Sequence, residues 1–483
     1  MNWRVLAEIV YILILILVSL RIIYDTRSSS KTLAYLLLAI FIPVAGILFY
    51  FIFGINYRKR SIYSKKLVED EVSLRALDER TVSISARNLK KNAEEVGIGE
   101  SLVNLLMNDS LSPLTIGNAV KLLINGEDKY PEVLDVLQHA RHHIHLEYYI
   151  FEDDIIGNRI KDMLIQKARE GIEVRLIYDD FGSSSIRKKL VKELRNSGVE
   201  AFPFNRIRFL FFANRINYRN HRKIVIVDGR CGFIGGINVS DRYINDKPVT
   251  GKQYWRDTHL RIDGPGILFL QHIFLCDWNF CSGQKVQPEK VYFNASPRHD
   301  SNISVQIAAS GPDSSASTIM LSFLKAINLA KSEILLTTPY FIPGNSILDS
   351  LKVAALGGVK VKLLVPGVSD SRLVNAAAWS NYGYLMKAGA EIYLYRKGFM
   401  HAKTMVIDGS ISVVGTANMD IRSFDLNFEV NAIVYAVEFA ELLSRSFYAD
   451  LHDAEKIRYD KWKLRPVYIK LIERIARLLS PLL

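Results

Sequence analysis

A short pattern of reactive side chains occurs twice in this 483-residue chain, once in each half. The first copy reads His221-x-Lys223-x4-Asp228 and continues to Gly235-Gly236-x-Asn238. The second copy reads His401-x-Lys403-x4-Asp408 and continues to Gly415-Thr416-x-Asn418. A single short motif is weak evidence, but two copies with matching followers indicate that one structural unit has been duplicated.

The segments around the motifs repeat in the same order. ARHHIHLEYYIF at 140–151 is matched by AKSEILLTTPYF at 330–341, and apolar strands alternate with helical stretches in both halves. This alternation predicts an α/β fold. We therefore expect two duplicated halves, at 111–300 and 301–483, which meet near the polar, loop-like segment around residue 300.

Each motif predicts a β-hairpin, because β-branched strands lie on both sides of an Asp-Gly dipeptide. Side chains two residues apart on a strand point to the same face, so the His and Lys of each motif should lie together. The candidate catalytic set is therefore His221, Lys223, Asp228, His401, Lys403 and Asp408. Within this set, we interpret both Asp residues as structural groups that hold the turns.

Two imidazoles with two ammonium groups favour cleavage of a phosphodiester through a phosphohistidine, without a metal or a cofactor. One neutral imidazole attacks phosphorus, and the other, protonated, gives its proton to the leaving alkoxide. The lysines neutralise the phosphate, and Asn238 and Asn418 bond its oxygens. Asp257 and Glu429, at similar places behind the two motifs, are candidates for orienting the imidazoles. Ordinary ion pairing is the alternative for these two carboxylates.

The N-terminus predicts a transmembrane helical hairpin over residues 1–60. Residues 5–24 and 32–55 are each apolar and long enough to cross a bilayer. A cleavable signal peptide is the alternative for the first of these spans. Basic residues after the second span place the bulk of the chain in the cytoplasm by the positive-inside rule. The charged, helix-like stretch 61–110 is interpreted as a connector.

Charge and patterning favour an anionic lipid over nucleic acid as the partner. The chain carries a net charge of +12, which attracts either polyanion, but a DNA substrate does not require a membrane anchor. The segment 202–220 interleaves Phe and Arg, which is typical of a surface that enters an anionic bilayer or of a half-buried strand and loop. The C-terminal stretch 467–483 predicts an amphipathic helix that either packs on the protein or contacts the membrane.

The paired motifs resemble those of the phospholipase D superfamily. The N-terminal hairpin, YWRDTHLRI at 254–262, TPYFIP at 338–343 and GTANMDIRSFDLNFEVNA at 415–432 resemble its bacterial cardiolipin synthases. This resemblance implies two phospholipase D-like α/β sandwich halves with the active site at their pseudo-twofold interface. Superfamily members often have Ser after the motif's Gly, so Gly236 is given only a backbone role.

The resemblance also implies phosphatidyl transfer between two phosphatidylglycerols, which gives cardiolipin and glycerol. His221 would then be the nucleophile and His401 the acid and base. Phosphatidylglycerol and anionic membrane lipids would be the partners, with no nucleic acid expected, while the oligomeric state is left open. A hydrolase that uses water, a transferase with another alcohol acceptor and, less favoured, a nuclease are the alternatives.

Overall fold

The computed structural model describes residues 3–26, 29–42, 44–53, 66, 84–204, 218–245, 253–314 and 316–479. The chain divides into an N-terminal apolar unit, which includes the residues up to 71, and a larger unit of residues 72–206 and 218–483. The aromatic and basic segment 202–220, singled out above, lies mostly outside the described residues.

The apolar unit begins with one long helix, α1 (Trp3–Asp25), whose mean hydropathy of 2.6 suits a membrane span. The structure divides the second predicted span, 32–55, into two helices, α2 (Ser29–Phe41) and α3 (Ala45–Phe53). The break falls beside Pro43, and a proline inside a helix removes a backbone donor and clashes with the preceding turn.

Helix α3 runs back along α2 instead of extending it. The rings of Tyr35 and Tyr50 lie 5.5 Å apart, and the Tyr50 hydroxyl donates to Asp25 at 3.2 Å. Val18, Ile22 and Ala39 complete a small core with Tyr50. Among the described residues, α1 is therefore the only helix that is both long and apolar enough to cross a membrane by itself.

The larger unit alternates helices and strands. Its helices are α4 (Ala93–Val96), α5 (Glu100–Ser110), α6 (Asn125–Gln138), α7 (Ile155–Arg169), α8 (Lys189–Asn196), α9 (Ile267–Ser282), α10 (Thr318–Leu329), α11 (Asn345–Leu356), α12 (Arg372–Lys387), α13 (Ile421–Asp425), α14 (Val437–Leu451), α15 (Tyr459–Lys463) and α16 (Val467–Leu478). The strands of its first half are β1 (Thr115–Ile124), β2 (His143–Tyr148), β3 (Glu173–Asp179), β4 (Glu200–Phe204), β5 (Lys223–Val227), β6 (Cys231–Gly235), β7 (Tyr254–Arg256) and β8 (Thr258–Asp263). Those of its second half are β9 (Ile303–Ser310), β10 (Glu333–Thr337), β11 (Phe341–Ile342), β12 (Lys360–Pro366), β13 (Glu391–Tyr395), β14 (Gly398–Met400), β15 (Thr404–Ile407), β16 (Ile411–Gly415), β17 (Met419–Asp420), β18 (Glu429–Tyr435) and β19 (Ala454–Lys456).

The main sheet shows the duplication in its strand order. The order is β4-β3-β2-β5-β6-β8-β1-β9-β18-β16-β15-β10-β12-β13-β19. Read outward from the antiparallel β1–β9 contact, both halves have the same succession, and β19 is an addition at one edge. In each half the motif hairpin, β5–β6 or β15–β16, lies inside the sheet. The predicted duplicated α/β fold is confirmed.

Each half has its own apolar core, because helices cover strands whose residues are buried on both faces. The predicted connector 61–110 does more than link domains. In its described part, Leu102, Val103 and Leu106 of α5 are fully buried in the core of the second half. This segment therefore belongs to the folded body, although it precedes the first half in the chain.

Candidate active site

Both motif hairpins turn at a left-handed Asp-Gly pair. Asp228 and Gly229 have φ values of 55° and 60°, and Asp408 and Gly409 have values of 49° and 61°. Two successive residues with positive φ define the tight turn that suits the twist of a two-stranded hairpin, and Asp-Gly is among its preferred sequences. The turns place His221 and His401 at the opposite ends of β5 and β15 from these Asp residues.

The two Asp carboxylates bond to the backbone outside the reaction centre. Asp228 accepts from the backbone N–H groups of residues 141–143 at 2.8–3.2 Å. Asp408 accepts from those of residues 331–333 at 2.7–2.8 Å. Each carboxylate therefore ties its turn to the start of the neighbouring strand, β2 or β10. The structure places both away from the cavity that holds the histidines.

The backbone beside each histidine joins the two halves. The N–H of His221 donates to the carbonyl of Phe428 at 2.9 Å, and the N–H of His401 donates to that of Arg256 at 2.7 Å. Strand β14, just before His401, also pairs in parallel with β7, just before Asp257. Each histidine is therefore fixed beside the chain segment that leads to a carboxylate of the other half.

Each imidazole is hydrogen-bonded to that carboxylate. His221 Nδ1 lies 2.9 Å from Glu429 Oε2, and His401 Nδ1 lies 2.6 Å from Asp257 Oδ2. Burial works to raise the pKa of both carboxyl groups, but the imidazoles and lysines around them outweigh it and lower each pKa. An ionised carboxylate can only accept, so Nδ1 donates and Nε2 keeps its lone pair for the cavity.

Both histidines are neutral at pH 7. Burial lowers the pKa of His221 to about 4, against the opposing effect of Glu429. Burial and the charge of Lys403 lower the pKa of His401 to about 3. A neutral imidazole with a free Nε2 lone pair is the form that can act as a nucleophile or as a base.

The two motif lysines are buried behind the imidazoles. Lys223 Nζ donates to the carbonyl of His221 at 2.6 Å, and Lys403 Nζ donates to that of His401. Burial lowers the pKa of Lys223 to about 7 and that of Lys403 to about 8. An anion in the cavity would raise both pKa values, so the lysines gain positive charge when a phosphate binds.

One cavity of about 460 Å³ brings the two motif imidazoles together, whereas Lys223 and Lys403 are not among its lining residues. It is lined by both histidines and both motif asparagines, together with aromatic rings. The Tyr149 ring lies 4.9 Å from that of His221, and the Trp255 ring lies 5.3 Å from that of His401. The two motifs, distant in sequence, thus share one site.

The two asparagines differ in how the protein holds them. Asn238 Oδ1 accepts from the N–H of Ile150 at 3.1 Å, while its Nδ2 donates to the Tyr243 hydroxyl at 2.8 Å. Asn418 Oδ1 is buried without a partner among the described residues. Asn238 is therefore fixed in place and retains one N–H, and Asn418 keeps a polar atom that a bound ligand or water can satisfy.

Thr416 is a site residue that the sequence analysis did not assign. Its hydroxyl donates to Glu429 at 2.6 Å. At the matching place in the other copy, a Cβ on Gly236 would lie 2.1 Å from Asp257 Oδ1. The Gly/Thr difference between the motifs is therefore a difference in how each carboxylate is supported.

A second repeated signal was also overlooked. Each motif asparagine is followed four residues later by an arginine, Arg242 in the first copy and Arg422 in the second. Both arginines line the same cavity as the histidines. Extending the motif comparison by four residues would have found them from sequence.

Comparisons with known proteins agree with this architecture. Residues 133–247 and 323–451 match the family model described as "Cardiolipin synthase, PLD-like domain", and residues 10–54 match "Phospholipase_D-nuclease N-terminal". A solved phosphatidylserine synthase from Haemophilus influenzae has a TM-score of 0.58 at 13% identity, covering 79% of this chain and 98% of that one. That likeness concerns the fold alone.

Curated relatives match over nearly their full length. The chain is 40% identical to a cardiolipin synthase of Alkalihalophilus pseudofirmus, over 100% of this chain and 95% of the relative. It is 39% identical to the major cardiolipin synthase ClsA of Bacillus subtilis, over 99% of each. With two matched half-domains and whole-length relatives, the chain belongs to the cardiolipin synthase family of phospholipase D-like proteins.

Proposed function

We propose that this protein makes cardiolipin and glycerol from two molecules of phosphatidylglycerol. The observation that carries the proposal is the pair of imidazoles, one from each half, whose Nε2 atoms are left free in a single cavity. The names of relatives that are about 40% identical over the whole chain support the same reaction. The catalytic roles below extend that reaction to particular atoms.

In the first step, His221 Nε2 attacks the phosphorus of the donor lipid. The phosphorus–oxygen bond to the headgroup glycerol breaks, and His401 Nε2 gives its proton to the departing oxygen. Burial and the charge of Lys403 keep His401 neutral, but the negative charge of the bound phosphodiester raises its pKa and lets it carry that proton. Lys223 and Lys403 stabilise the charge that develops on the phosphate oxygens.

In the second step, the headgroup hydroxyl of another phosphatidylglycerol loses its proton to His401. Its oxygen attacks phosphorus, the bond from phosphorus to His221 Nε2 breaks, and cardiolipin leaves. His401 ends with the proton that the next cycle needs, so the enzyme is restored. The choice of His221 as nucleophile follows the superfamily resemblance, since the two imidazoles have similar surroundings.

Excluding water decides between transfer and hydrolysis. Both histidines are buried, and aromatic rings such as Tyr149 and Trp255 pack against them. An apolar wall of this kind reduces access of bulk water to the phosphohistidine. A lipid hydroxyl delivered at high local concentration can then compete successfully as the acceptor.

Membrane attachment brings the enzyme to its lipids. The apolar α1 and the family relationship support membrane association. We further propose that both termini face the cytoplasm, as the basic residues after residue 55 indicate. This topology requires α2 and α3 to straighten in a bilayer, because α2 alone is about 20 Å long against a hydrocarbon core of about 30 Å.

This topology can be tested by labelling intact cells with a maleimide that does not cross the membrane. Thr32→Cys, in a background with Cys276 and Cys281 replaced by Ser, should be labelled only from outside the cell. Labelling of Thr32→Cys only after permeabilisation would contradict two spans with both ends inside.

The reaction can be tested with purified full-length enzyme and phosphatidylglycerol vesicles. We expect cardiolipin and glycerol to appear in equal amounts, and no effect of a chelator. Phosphatidic acid as the main product would instead identify a hydrolase. Cleavage of DNA without turnover of lipid would identify a nuclease, and restoration of activity by a divalent ion would contradict the metal-free chemistry.

A further inference from the structure

The proposed reaction brings two anionic lipids to one cavity. The lysines of the motifs serve the phosphate that reacts. The glycerol that supplies the attacking hydroxyl also carries the acceptor's own phosphodiester, only three carbon atoms away. That second anion must therefore lie close to the reaction centre, and burying it without a cation would be costly.

Three arginines line the cavity, namely Arg219, Arg242 and Arg422. Arg242 and Arg422 occupy equivalent places of the duplication, but their environments differ. Arg242 forms an ion pair with Glu152 and lies over the Trp255 ring, 5.3 Å from its centroid. Arg422, in the first turn of α13, lines the cavity and has no ion-pair partner among the described residues. The charge of Arg242 is therefore already balanced by the protein, whereas that of Arg422 is available to a ligand.

Arg422 also shares the cavity with the nucleophile. Arg422 and Tyr149 line the same cavity as His221. Burial raises the pKa of Tyr149, and the positive charges of Arg219 and Arg422 oppose that rise. The Tyr149 ring in turn packs edge-on against His221. Arg422 therefore lines the cavity in which the acceptor must attack the phosphohistidine.

We propose that Arg422 binds the phosphodiester of the acceptor lipid. This inference rests on the proposed function and adds a second anion site to it. A guanidinium suits this task because it stays charged and can bond two phosphate oxygens at once. With its phosphate on Arg422, the acceptor's free hydroxyl is held beside the phosphorus on His221 while its proton passes to His401.

The two half-reactions separate this role from a general one. Exchange of labelled glycerol into phosphatidylglycerol needs only the donor lipid, whereas cardiolipin synthesis needs both lipids. We expect Arg422→Gln to reduce cardiolipin synthesis about tenfold or more while glycerol exchange stays within about twofold of wild type. Arg422→Lys should recover part of the lost synthesis. Arg445→Gln, which removes an exposed arginine on α14, is the matched control and should change neither rate.

Equal losses of exchange and synthesis in Arg422→Gln would overturn the proposal, because they would place Arg422 at the donor phosphate. Unchanged synthesis would overturn it too. If wild-type enzyme neither exchanged glycerol nor made cardiolipin, the proposed function itself would fail, and this outcome is distinguishable from the other two.

A separate observation concerns the C-terminal helix α16. It packs on the body through Glu473 and Ala476, which are buried, with Arg465 bonded to the Glu473 carboxylate at 2.9 Å. Its opposite face is apolar and unpacked, with Leu471 57%, Ile475 52% and Leu478 76% exposed. Of the two alternatives for this helix, packing therefore uses the small, polar face and leaves the apolar face uncovered.

We infer that the apolar face of α16 lies in the surface of an anionic bilayer. Basic residues border this face, namely Lys463, Lys470, Arg474 and Arg477, and they complement anionic headgroups. The phospholipid substrates lie in the same surface. Docking α16 would hold the folded body against the bilayer independently of α1.

Hydrogen exchange of the full-length protein in nanodiscs tests this docking. We expect residues 467–479 to exchange at least about tenfold more slowly in nanodiscs that contain phosphatidylglycerol than in nanodiscs of phosphatidylcholine alone. Leu471→Ser with Ile475→Ser should abolish the difference. Val353→Ser with Leu356→Ser, on the exposed apolar positions of α11, is the matched control and should preserve it.

Equal exchange in both lipids would overturn the membrane proposal. Protection that instead depends on protein concentration in detergent would assign the face to a second copy of the chain, and would overturn it as well.

Discussion

The two histidine–carboxylate pairs reach the same geometry with different residues. His221 is held by Glu429, which also accepts from the Thr416 hydroxyl at 2.6 Å and from Asn427 at 3.2 Å. We call this the Glu429 pair. His401 is held by Asp257 in what we call the Asp257 pair, and the same carboxylate accepts from the N–H of Thr258 at 2.7 Å.

The difference shows what the duplication has preserved. The Asp257 carboxylate occupies the space that any side chain at Gly236 would need. In the other copy, the Thr416 hydroxyl occupies the matching place and donates a hydrogen bond to the longer Glu429 side chain. Gly with Asp and Thr with Glu are therefore two solutions that keep Nδ1 bonded and Nε2 free.

The largest effects should come from the imidazoles themselves. We expect His221→Ala and His401→Ala each to reduce cardiolipin synthesis about 10⁴-fold or more, because neither half can replace the group that the other supplies. Activity and thermal unfolding of both variants check this. His139→Ala, an exposed histidine, is the control and should be silent. Substantial activity in only one of the two active-site variants would show that the halves do not share one site.

The next effects should come from the carboxylates. We expect Glu429→Gln and Asp257→Asn each to reduce kcat about 10³-fold, because an amide can donate to Nδ1 and shift the proton to Nε2. Steady-state rates with phosphatidylglycerol vesicles measure this. If only one of the two variants lost activity, only one imidazole would need its tautomer fixed. That result would contradict the equivalence of the two pairs.

A swap between the copies should be smaller and partly reversible. We expect Gly236→Thr to reduce kcat about 10²-fold, because the new side chain displaces Asp257 from His401. Adding Asp257→Glu recreates the combination found in the Glu429 pair. The double variant should therefore recover at least about fivefold relative to Gly236→Thr. Failure of Asp257→Glu to improve on the single variant would contradict the idea that the two positions are coupled.

The smallest effects on chemistry should come from the turn residues. We expect Asp408→Ala to lower the free energy of unfolding by about 1–3 kcal/mol, because the backbone N–H groups of residues 331–333 lose their acceptor. The rate per folded molecule should stay within about twofold. Denaturant unfolding and activity at matched folded fractions measure both. A large loss of rate in folded enzyme would instead indicate a catalytic role for this carboxylate.

The same residue gives a test in acid. Burial works to raise the pKa of Asp408, but hydrogen bonds from residues 331–333 outweigh it and lower that pKa. A depressed folded-state pKa stabilises the fold above the unfolded pKa of about 3.9, and this contribution is lost as pH falls through the folded pKa. Asp408→Asn should therefore reduce the loss of stability below about pH 4.

The repeated motif made much of this architecture predictable. His-x-Lys-x4-Asp-Gly encodes a strand, a left-handed turn and a second strand, which are local features. The duplication then predicted one shared fold for both halves. The pairing of each histidine with the other half's carboxylate was not predictable, because it depends on contacts between Phe428 and His221 and between Arg256 and His401 that no local pattern reports.

Other features could not be predicted from the sequence, because they depend on tertiary packing. Apolar length alone predicted one span over 32–55, but it did not predict the break between α2 and α3. Charge and helical pattern suggested a connector at 61–110, although the apolar side chains of α5 fill a core that only the second half completes. In both cases the missing information was the neighbour against which the segment packs.

Covalent trapping tests most directly whether the two halves divide one reaction. A phosphatidyl ester with a nitrophenol leaving group needs no acid, so the nucleophile alone should suffice to form the phosphohistidine. We expect His401→Ala to accumulate the phosphatidyl label on His221, and His221→Ala to take up none. Label on His401 in the His221→Ala variant, with none on His221 in the other, would reverse the roles. Label on neither residue in either variant would contradict the account.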